Sequence, residues 1–256
     1  MKLVILAGGR GTRLSEETTL RPKPLVEIGG MPIIWHIMKI YSNFGIKDFI
    51  ICCGYKGYMI KEFFSNYSLH TSDITINIKK NKITTHRKNT EDWNITLINT
   101  GDTTLTGGRI LRVKDYVDNN FLLTYGDGLA NVNIHKLIKF HREKNKLATV
   151  TIVKPQARFG SVKLKNNFKI ESFMEKNSKN QNWINGGFFV LNKKIFKYLK
   201  SDNTIWENEP LKKLSSDNQL VGFKHNDFWQ PMDTIREKEY LDELWDRNQA
   251  PWKIWK

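Results

Sequence analysis

A glycine-rich loop near the amino terminus carries the first residues suited to chemistry. The apolar residues 3–7 lead into three glycines within residues 8–11, and Thr12 and Arg13 follow directly. Glycines let backbone N–H groups approach phosphate oxygens closely, and an arginine adds bidentate, charge-assisted hydrogen bonds. A plain tight turn would explain the glycines but not the Thr–Arg pair. The loop therefore predicts a phosphate site, although it matches neither G-x-x-x-x-G-K-[ST] nor G-x-G-x-x-G.

A second basic element is the tetrapeptide Arg21-Pro22-Lys23-Pro24. Each proline fixes its own φ angle, so the backbone around Lys23 is restricted. This favours an ammonium group held in one position over a mobile surface lysine.

Two aspartates are candidates for binding a metal. Asp127 lies between Gly126 and Gly128, directly after the predicted strand 121–125, and open α/β sheets bind ligands at the carboxyl ends of their strands. Magnesium reaches nucleotides through one or two protein carboxylates plus phosphate oxygens, so a second acid should converge on Asp127. Asp233 is that candidate, although it could equally cap the next helix.

Four further residues could bind a phosphorylated sugar. Glu175 and Lys176 follow a predicted strand, and Asn185 and Gly186 precede one, although each also fits an ordinary turn. The histidines show no metal-ligand spacing. We expect His36, which lies among apolar helix positions, to be a partly buried and hydrogen-bonded side chain.

The elements that must position these residues alternate between strands and helices, which predicts an α/β fold with a mainly parallel sheet. Residues 73–99 alternate in polarity and predict an antiparallel ribbon or an excursion from the sheet. We expect the core to end near residue 150, with shorter strands and helical additions after it, all within one domain spanning residues 1–256. The predicted strands are 3–7, 49–53, 121–125, 148–153, 161–164, 169–174 and 187–191. The predicted helices are 32–43, 58–64, one from after Gly107-Gly108 to about 117, 134–144, one around 211, and 237–247.

Composition excludes several classes of protein. The 256 residues contain no apolar run near the ~18 residues of a membrane-spanning helix, and the apolar run at the amino terminus is too short for a signal peptide, so we expect a cytoplasmic chain. Cys52 and Cys53 are adjacent and would point to opposite faces of a strand, which argues against a disulfide framework. The net charge of +15 is spread over the chain rather than concentrated in a patch, so we expect no nucleic-acid partner. It is compatible with binding a small anion such as a nucleotide.

Taken together, the motifs resemble the sugar-1-phosphate nucleotidyltransferase family, whose opening pattern L-A-G-G-x-G-T-R-L is followed by R-P-K-P. Further matches run along nearly the whole chain and look like the members of the family that use CTP. The matching segments are residues 6–14, 21–24, 26–30, 35–39, 51–57, 106–109, 124–128, 183–189 and 228–234.

The resemblance implies a Rossmann-like, three-layer fold with helices on both faces of a mixed, mainly parallel sheet. It also implies a Mg²⁺-dependent reaction of CTP with α-D-glucose 1-phosphate, giving CDP-glucose and pyrophosphate for dideoxy-sugar and surface-polysaccharide synthesis. The first part of the chain, residues 1–150, would mainly bind the nucleotide, and residues 151–256 would mainly bind the sugar phosphate. A homo-oligomer, with a hexamer as one form, is also implied.

Residue roles follow from the same resemblance. Arg13, Lys23 and Asp127 would be catalytic, and Asp127 and Asp233 would bind the metal. Lys176 would meet the sugar phosphate, and Glu175, Asn185 and Gly186 the glucose hydroxyls. The nucleotide would contact Leu6, Ala7, Gly8, Gly9, Gly11, Thr12, Arg13, Lys23, Thr104, Gly107, Arg109, Gly126 and Asp127.

The chain departs from the family pattern at two sites. Asn177 stands where a proline usually follows the sugar-phosphate lysine, and Asn131 and Asn133 stand where acids are usual. Two other functions remain open on the sequence: the same reaction with UTP or dTTP, and a non-catalytic nucleotide-binding protein.

Overall fold

The computed structural model describes residues 1–87, 90–155, 161–165, 169–174 and 182–255. The strands are β1 (Leu3–Ala7), β2 (Glu27–Ile28), β3 (Met31–Pro32), β4 (Asp48–Cys53), β5 (Asp73–Asn77), β6 (Lys82–Arg87), β7 (Asn94–Asn99), β8 (Asn120–Tyr125), β9 (Gly128–Ala130), β10 (Ala148–Val153), β11 (Ser161–Leu164), β12 (Ile170–Met174), β13 (Ile184–Asn192), β14 (Leu220–His225) and β15 (Trp229–Pro231). The helices are α1 (Ser15–Thr18), α2 (Ile33–Ser42), α3 (Gly57–Ser65), α4 (Tyr67–Thr71), α5 (Thr106–Arg112), α6 (Ile134–Lys144), α7 (Glu209–Ser216) and α8 (Ile235–Asp246).

A seven-stranded sheet in the order β14-β10-β13-β8-β1-β4-β7 forms the centre of the molecule. Six of its strands run in one direction, and β13 runs against its neighbours β8 and β10. The carboxyl ends of the six parallel strands therefore lie at one edge of the sheet, together with the start of β13. Ligands of open α/β sheets bind at that edge, which we call the ligand edge.

Apolar residues of β1 and β4 alternate between two cores, one on each face of the sheet. Leu3, Ile5 and Ala7 belong to one core, whereas Val4 and Leu6 belong to the other. Helices α2, α6 and α8 contribute to the first core, and α5 and α7 to the second. This layering confirms the predicted three-layer, mainly parallel α/β fold.

The segment 73–99 divides into two structures. Strands β5 and β6 form the expected antiparallel hairpin. Strand β7 instead pairs in parallel with β4 and becomes an edge of the central sheet, so an excursion was the wrong expectation for this half. Helix α5 is also shorter than predicted, because the backbone at Val113 leaves the helical conformation.

The core does not end near residue 150, contrary to expectation. Strands β13 and β14 both belong to the central sheet. The physical reason is burial: Phe188 to Leu191 lie between β8 and β10 and are at most 1% exposed. The second part of the chain therefore completes the sheet of the first.

Cys52 and Cys53 are free thiols in opposite cores, as their adjacency predicts, and burial raises the pKa of Cys53 to about 11.

His36 is fully buried, with Nε2 2.8 Å from the Ile28 carbonyl oxygen, and its Nδ1 accepts from the Trp252 indole N–H. Its side chain is thus hydrogen-bonded, as expected, but wholly rather than partly buried. In the described part of the chain, no helix is both long and apolar enough to cross a membrane.

Candidate active site

The glycine loop begins where β1 ends and is fixed by its own backbone geometry. Gly11 has a left-handed φ of 64° and precedes a short 3₁₀ turn, Thr12–Leu14. The Thr18 hydroxyl donates to the Gly11 and Leu14 carbonyl oxygens, at 3.1 and 2.9 Å. Gly9 is exposed, with no atom within 4 Å of where a Cβ would lie. The loop thus leaves open backbone at the ligand edge, as a phosphate site requires.

The Arg109 guanidinium lies beneath this loop and supports it. It donates to the carbonyl oxygens of Gly8 at 2.9 Å, Gly101 at 2.7 Å and Cys53 at 3.3 Å, and to the Thr100 hydroxyl at 2.7 Å. Arg109 is only 4% exposed, and this burial lowers the pKa of its guanidinium. The side chain therefore ties together the ends of β1, β4 and β7.

Lys23 occupies the position that its flanking prolines predict. Residues Lys23–Leu25 form a 3₁₀ turn closed by a hydrogen bond from the Leu25 N–H to the Pro22 carbonyl oxygen, 2.8 Å. The Lys23 side chain is 9% exposed, and Nζ lies 2.6 Å from Asp127 Oδ2 and 2.7 Å from Asp233 Oδ1. Its ammonium is thus held between two carboxylates.

The two aspartates meet because β9 and β15 pair. Asp127 follows β8, and β9 continues directly from it, while Asp233 follows β15. The antiparallel pairing of Gly128 with Pro231 brings both ends together, and the Met232 N–H donates to the Asp127 carbonyl oxygen at 2.8 Å. Arg13 completes the cluster, with Nη1 2.7 Å from Asp233 Oδ2.

The alternative role for Asp233, capping α8, is wrong. Thr234 is the N-cap, because its side chain accepts from the Glu237 N–H. The Glu237 carboxylate in turn accepts from the N–H groups of Asp233 and Thr234, at 2.7 and 3.0 Å. This capping box orients the backbone at Asp233 and leaves its carboxylate for Lys23 and Arg13.

The donor set of this cluster fits magnesium bound together with a nucleotide. Mg²⁺ is a hard cation that takes oxygen ligands, and one or two carboxylates suffice when phosphates supply the rest. Asp127 and Asp233 provide such a pair. The residues that the structure describes contain no group of three or more His, Cys, Asp or Glu that could form a complete protein cage.

The predicted sugar residues are only partly within the described structure. Glu175 and Lys176, like Asn177, lie outside the described residues. Asn185 stands at the ligand edge, near the start of β13, where its Oδ1 accepts from the Gly187 N–H at 2.9 Å and its Nδ2 donates to the Tyr125 hydroxyl at 3.2 Å. The Gly186 carbonyl oxygen accepts from the Trp229 indole N–H at 2.8 Å.

Thr104 lies two residues before α5, Gly107 lies in its first turn, and both are buried. A Cβ at Gly107 would approach the Thr204 side chain and carbonyl oxygen to 2.8 Å, so a packing constraint explains this glycine. Asn133, which stands where an acid is usual, caps α6 by accepting from the Lys136 N–H at 2.9 Å. Sequence reasoning missed Glu207, which contacts both Thr106 and Tyr125, because these contacts join residues 82 or more positions apart.

A mainly parallel sheet carries, at its ligand edge, a glycine loop, a lysine between two carboxylates and an arginine. This combination is typical of the class of α/β proteins that bind nucleotide phosphates. Residues 2–237 match the model of the family described as nucleotidyl transferase. The chain belongs to the nucleotidyl transferase family.

Individual relatives agree with this membership. The chain is 54% identical, over the full length of both proteins, to glucose-1-phosphate cytidylyltransferase of Salmonella typhimurium. Among solved structures it is similar to HddC from Yersinia pseudotuberculosis, with a TM-score of 0.70, 23% identity and coverage of 95% of this chain and 99% of that one. It is also similar to a UDP-glucose pyrophosphorylase complexed with UDP-glucose, with a TM-score of 0.68, 14% identity and coverage of 96% and 98%. At these identities the two structures support the fold alone, and the predicted nucleotidyltransferase fold is confirmed.

Proposed function

We propose that this nucleotidyltransferase joins CTP to α-D-glucose 1-phosphate, forming CDP-glucose and releasing pyrophosphate. The observation that carries the proposal is the cluster of Lys23, Arg13, Asp127 and Asp233 beside the glycine loop. The choice of CTP and glucose 1-phosphate is supported by the full-length identity to the Salmonella enzyme.

The proposed chemistry is in-line attack at the α-phosphorus of CTP. A phosphate oxygen of glucose 1-phosphate forms the new P–O bond, and the bond from the α-phosphorus to the bridging oxygen breaks, so that oxygen leaves with pyrophosphate. The attacking oxygen is already ionised near neutral pH, so no protein base is needed. Catalysis then consists of positioning the two phosphates and neutralising their charge.

Lys23 and Arg13 are suited to the second task. An ammonium group has three donors, and Lys23 uses two of them on Asp127 and Asp233, so the third can contact a phosphate oxygen without breaking either bond. Arg13 is 73% exposed, so its guanidinium can reach solvent-borne phosphate while it remains beside Asp233. Asp127 and Asp233 would hold Mg²⁺, which when bound supplies positive charge to the phosphates.

The remaining residue roles are proposals of the same kind. We assign the backbone of residues 6–9 and 11–13 to the triphosphate and nucleoside, Gly126 and Thr104 to the nucleotide pocket, and Asn185 and Gly186, with Glu175 and Lys176, to the sugar phosphate. For Arg109 and Gly107 we propose a supporting role in the nucleotide site. The Arg109 guanidinium is already hydrogen-bonded to the Gly8 carbonyl oxygen, and Gly107 is packed against Thr204.

Pyrophosphate release tests the proposal. The purified protein would be assayed with α-D-glucose 1-phosphate and Mg²⁺, with CTP, UTP, dTTP, ATP and GTP in parallel and a metal-free control. We expect turnover that requires the metal and strongly prefers CTP, with CDP-glucose as product. Preference for UTP or dTTP would retain the chemistry and overturn the base assignment. No turnover with any nucleotide would overturn the function and favour a non-catalytic nucleotide-binding protein.

We further propose that the protein is cytoplasmic, since nucleoside triphosphates and sugar phosphates are cytoplasmic compounds. We also propose that it is a homo-oligomer and that it contributes to dideoxy-sugar and surface-polysaccharide synthesis. The hairpin of β5 and β6 supports self-association. Ile76 and Ile83 face each other across it and are 53% and 50% exposed, and Ile78 at its turn is 84% exposed. Adjacent exposed apolar groups of this kind commonly mark interaction sites.

A further inference from the structure

The Glu207 carboxylate joins two elements of the active site through two short hydrogen bonds. Its Oε1 accepts from the Tyr125 hydroxyl at 2.5 Å, and its Oε2 accepts from the Thr106 hydroxyl at 2.6 Å. Tyr125 is the last residue of β8, two positions before Asp127, and Thr106 is the first residue of α5. One half-buried side chain thus links the strand that leads to Asp127, the proposed metal ligand, with the helix that carries Arg109.

The first of these bonds extends toward the sugar side of the site. The Tyr125 hydroxyl also accepts from Asn185 Nδ2 at 3.2 Å. Asn185 fixes the first residues of β13 by accepting from the Gly187 N–H. Gly187 has a φ of 83° and no room for a Cβ, which would lie 2.7 Å from the Tyr125 ring. The Tyr125 ring and Asn185 therefore hold each other in place.

The second bond extends toward the nucleotide side. The Thr106 hydroxyl accepts from the Trp206 N–H at 2.9 Å, and the Gly107 N–H donates to the Thr204 carbonyl oxygen at 2.8 Å. Residues 204–206, which lead to Glu207, therefore hold the first turn of α5 in place through these hydrogen bonds. Arg109, one turn further along that helix, supports Gly8 of the glycine loop.

The chemistry of Glu207 matches a fixed acceptor. A carboxylate accepts hydrogen bonds and donates none, so both hydroxyls must point toward it, which sets their orientation. A tyrosine hydroxyl is ordinarily protonated at neutral pH, so Tyr125 can serve as the donor in its bond to Glu207. Hydrogen bonds to an ionised group are about twice as strong as neutral ones.

We propose that Glu207 is a positioning residue that holds both substrate pockets in register, the sugar pocket through Tyr125 and Asn185 and the nucleotide pocket through Thr106 and α5. The inference rests on the proposed function. Glu207 makes two separate hydrogen bonds, to Tyr125 and to Thr106, which we call its two arms. Replacing Glu207 therefore affects the binding of both substrates. Removing only one of the two hydrogen bonds affects the binding of one substrate only.

Steady-state kinetics of four variants test this inference. We expect Glu207→Gln to raise KM about tenfold for both CTP and glucose 1-phosphate, since the amide replaces one of the two accepting oxygens with an NH₂ donor. We expect Tyr125→Phe to raise KM mainly for glucose 1-phosphate, and Thr106→Val mainly for CTP. Glu209→Gln is the matched control, because that carboxylate is 62% exposed and bonds only Lys200 among the described residues; its KM values should equal those of the unaltered protein.

Thermal unfolding separates positioning from folding. If Glu207→Gln lowers Tm and kcat while both KM values stay unchanged, Glu207 is merely structural and the inference is overturned. The inference also fails if Tyr125→Phe and Thr106→Val alter both KM values alike, because the two arms would then not be separate. If the unaltered protein turns over no nucleotide, the proposed function fails instead, and dissociation constants of CTP and glucose 1-phosphate for the same four variants still test the two arms.

Discussion

At the scale of single residues, Lys23 is the group on which the site depends most. Its Nζ contacts both carboxylates, so removing it leaves Asp127 and Asp233 facing each other without the shared cation. We expect Lys23→Ala to lower kcat by about 10²-fold or more, the usual cost of losing one preorganised electrostatic group. Lys47→Ala, which removes an exposed lysine paired with Asp92, is the control and should leave kcat unchanged. Unaltered turnover by Lys23→Ala would remove Lys23 from the mechanism.

His36 predicts how stability responds to acid. Its burial lowers the pKa to about 4 in the folded protein, from 6.5 in the unfolded chain. Below pH 6.5 the unfolded chain therefore binds more protons, so stability falls as the pH drops from 6.5 toward 4. We expect this group to reduce the free energy of unfolding by about 2 kcal/mol between pH 7 and pH 5.

Urea unfolding at the two pH values measures this change. His36→Gln should remove that part of the pH dependence, although it also lowers stability at pH 7 by disturbing the contacts to Ile28 and Trp252. The exposed His70, changed to Gln, should retain the full dependence. Equal pH dependence in all three proteins would contradict the assignment to His36.

At the scale of elements, the join between β1 and the glycine loop depends on Gly8. A Cβ at this position would lie 2.1 Å from Arg109 Nη1. The guanidinium cannot move aside cheaply because it holds three carbonyl oxygens and a hydroxyl. We expect Gly8→Ala to cost about 1–3 kcal/mol of stability, the usual range for overpacking.

Calorimetry measures this cost as a lowered Tm. Gly9→Ala adds the same methyl group in open space and should leave Tm unchanged, so the pair separates crowding from the general effect of replacing glycine. A Tm for Gly8→Ala equal to that of Gly9→Ala would show that Arg109 yields to the methyl group.

Local patterns predicted some elements well and others poorly. The run from Leu3 to Ala7 and the helix Ile33–Ser42 were predicted because apolar spacing alone specifies a buried strand or an amphipathic helix. The role of β7 was not, since pairing with β4 is a tertiary contact that local alternation does not encode. Asp233 was a candidate metal ligand, yet only the β9–β15 pairing brings it to Asp127. Glu207 and the supporting role of Arg109 were missed for the same reason.

At the scale of the whole molecule, self-association through the β5–β6 hairpin is testable in solution. We expect light scattering after size exclusion to show a multiple of the 30.0 kDa chain mass. Ile76→Asp combined with Ile83→Asp should lower that mass, because two carboxylates would replace a directly paired apolar contact. Ile170→Asp changes an isoleucine that is 62% exposed on β12 and serves as the control.

The measured masses separate the two parts of this proposal. A single-chain mass for the unaltered protein would overturn self-association. An unchanged oligomer in the double variant would overturn the assignment of the interface to the hairpin.

The reversed strand β13 also determines when the protein can fold during its synthesis. It lies between β8 and β10, so neither strand is fully paired until residue 192 has left the ribosome. A nascent chain that includes β8 but not β13 exposes the backbone edge of an apolar strand, a surface that pairs readily with other chains. Residues 1–150 therefore cannot complete their part of the sheet before β13 has been synthesised. We therefore expect the sheet to be completed late in synthesis, and chains truncated before residue 192 to aggregate rather than form a smaller domain.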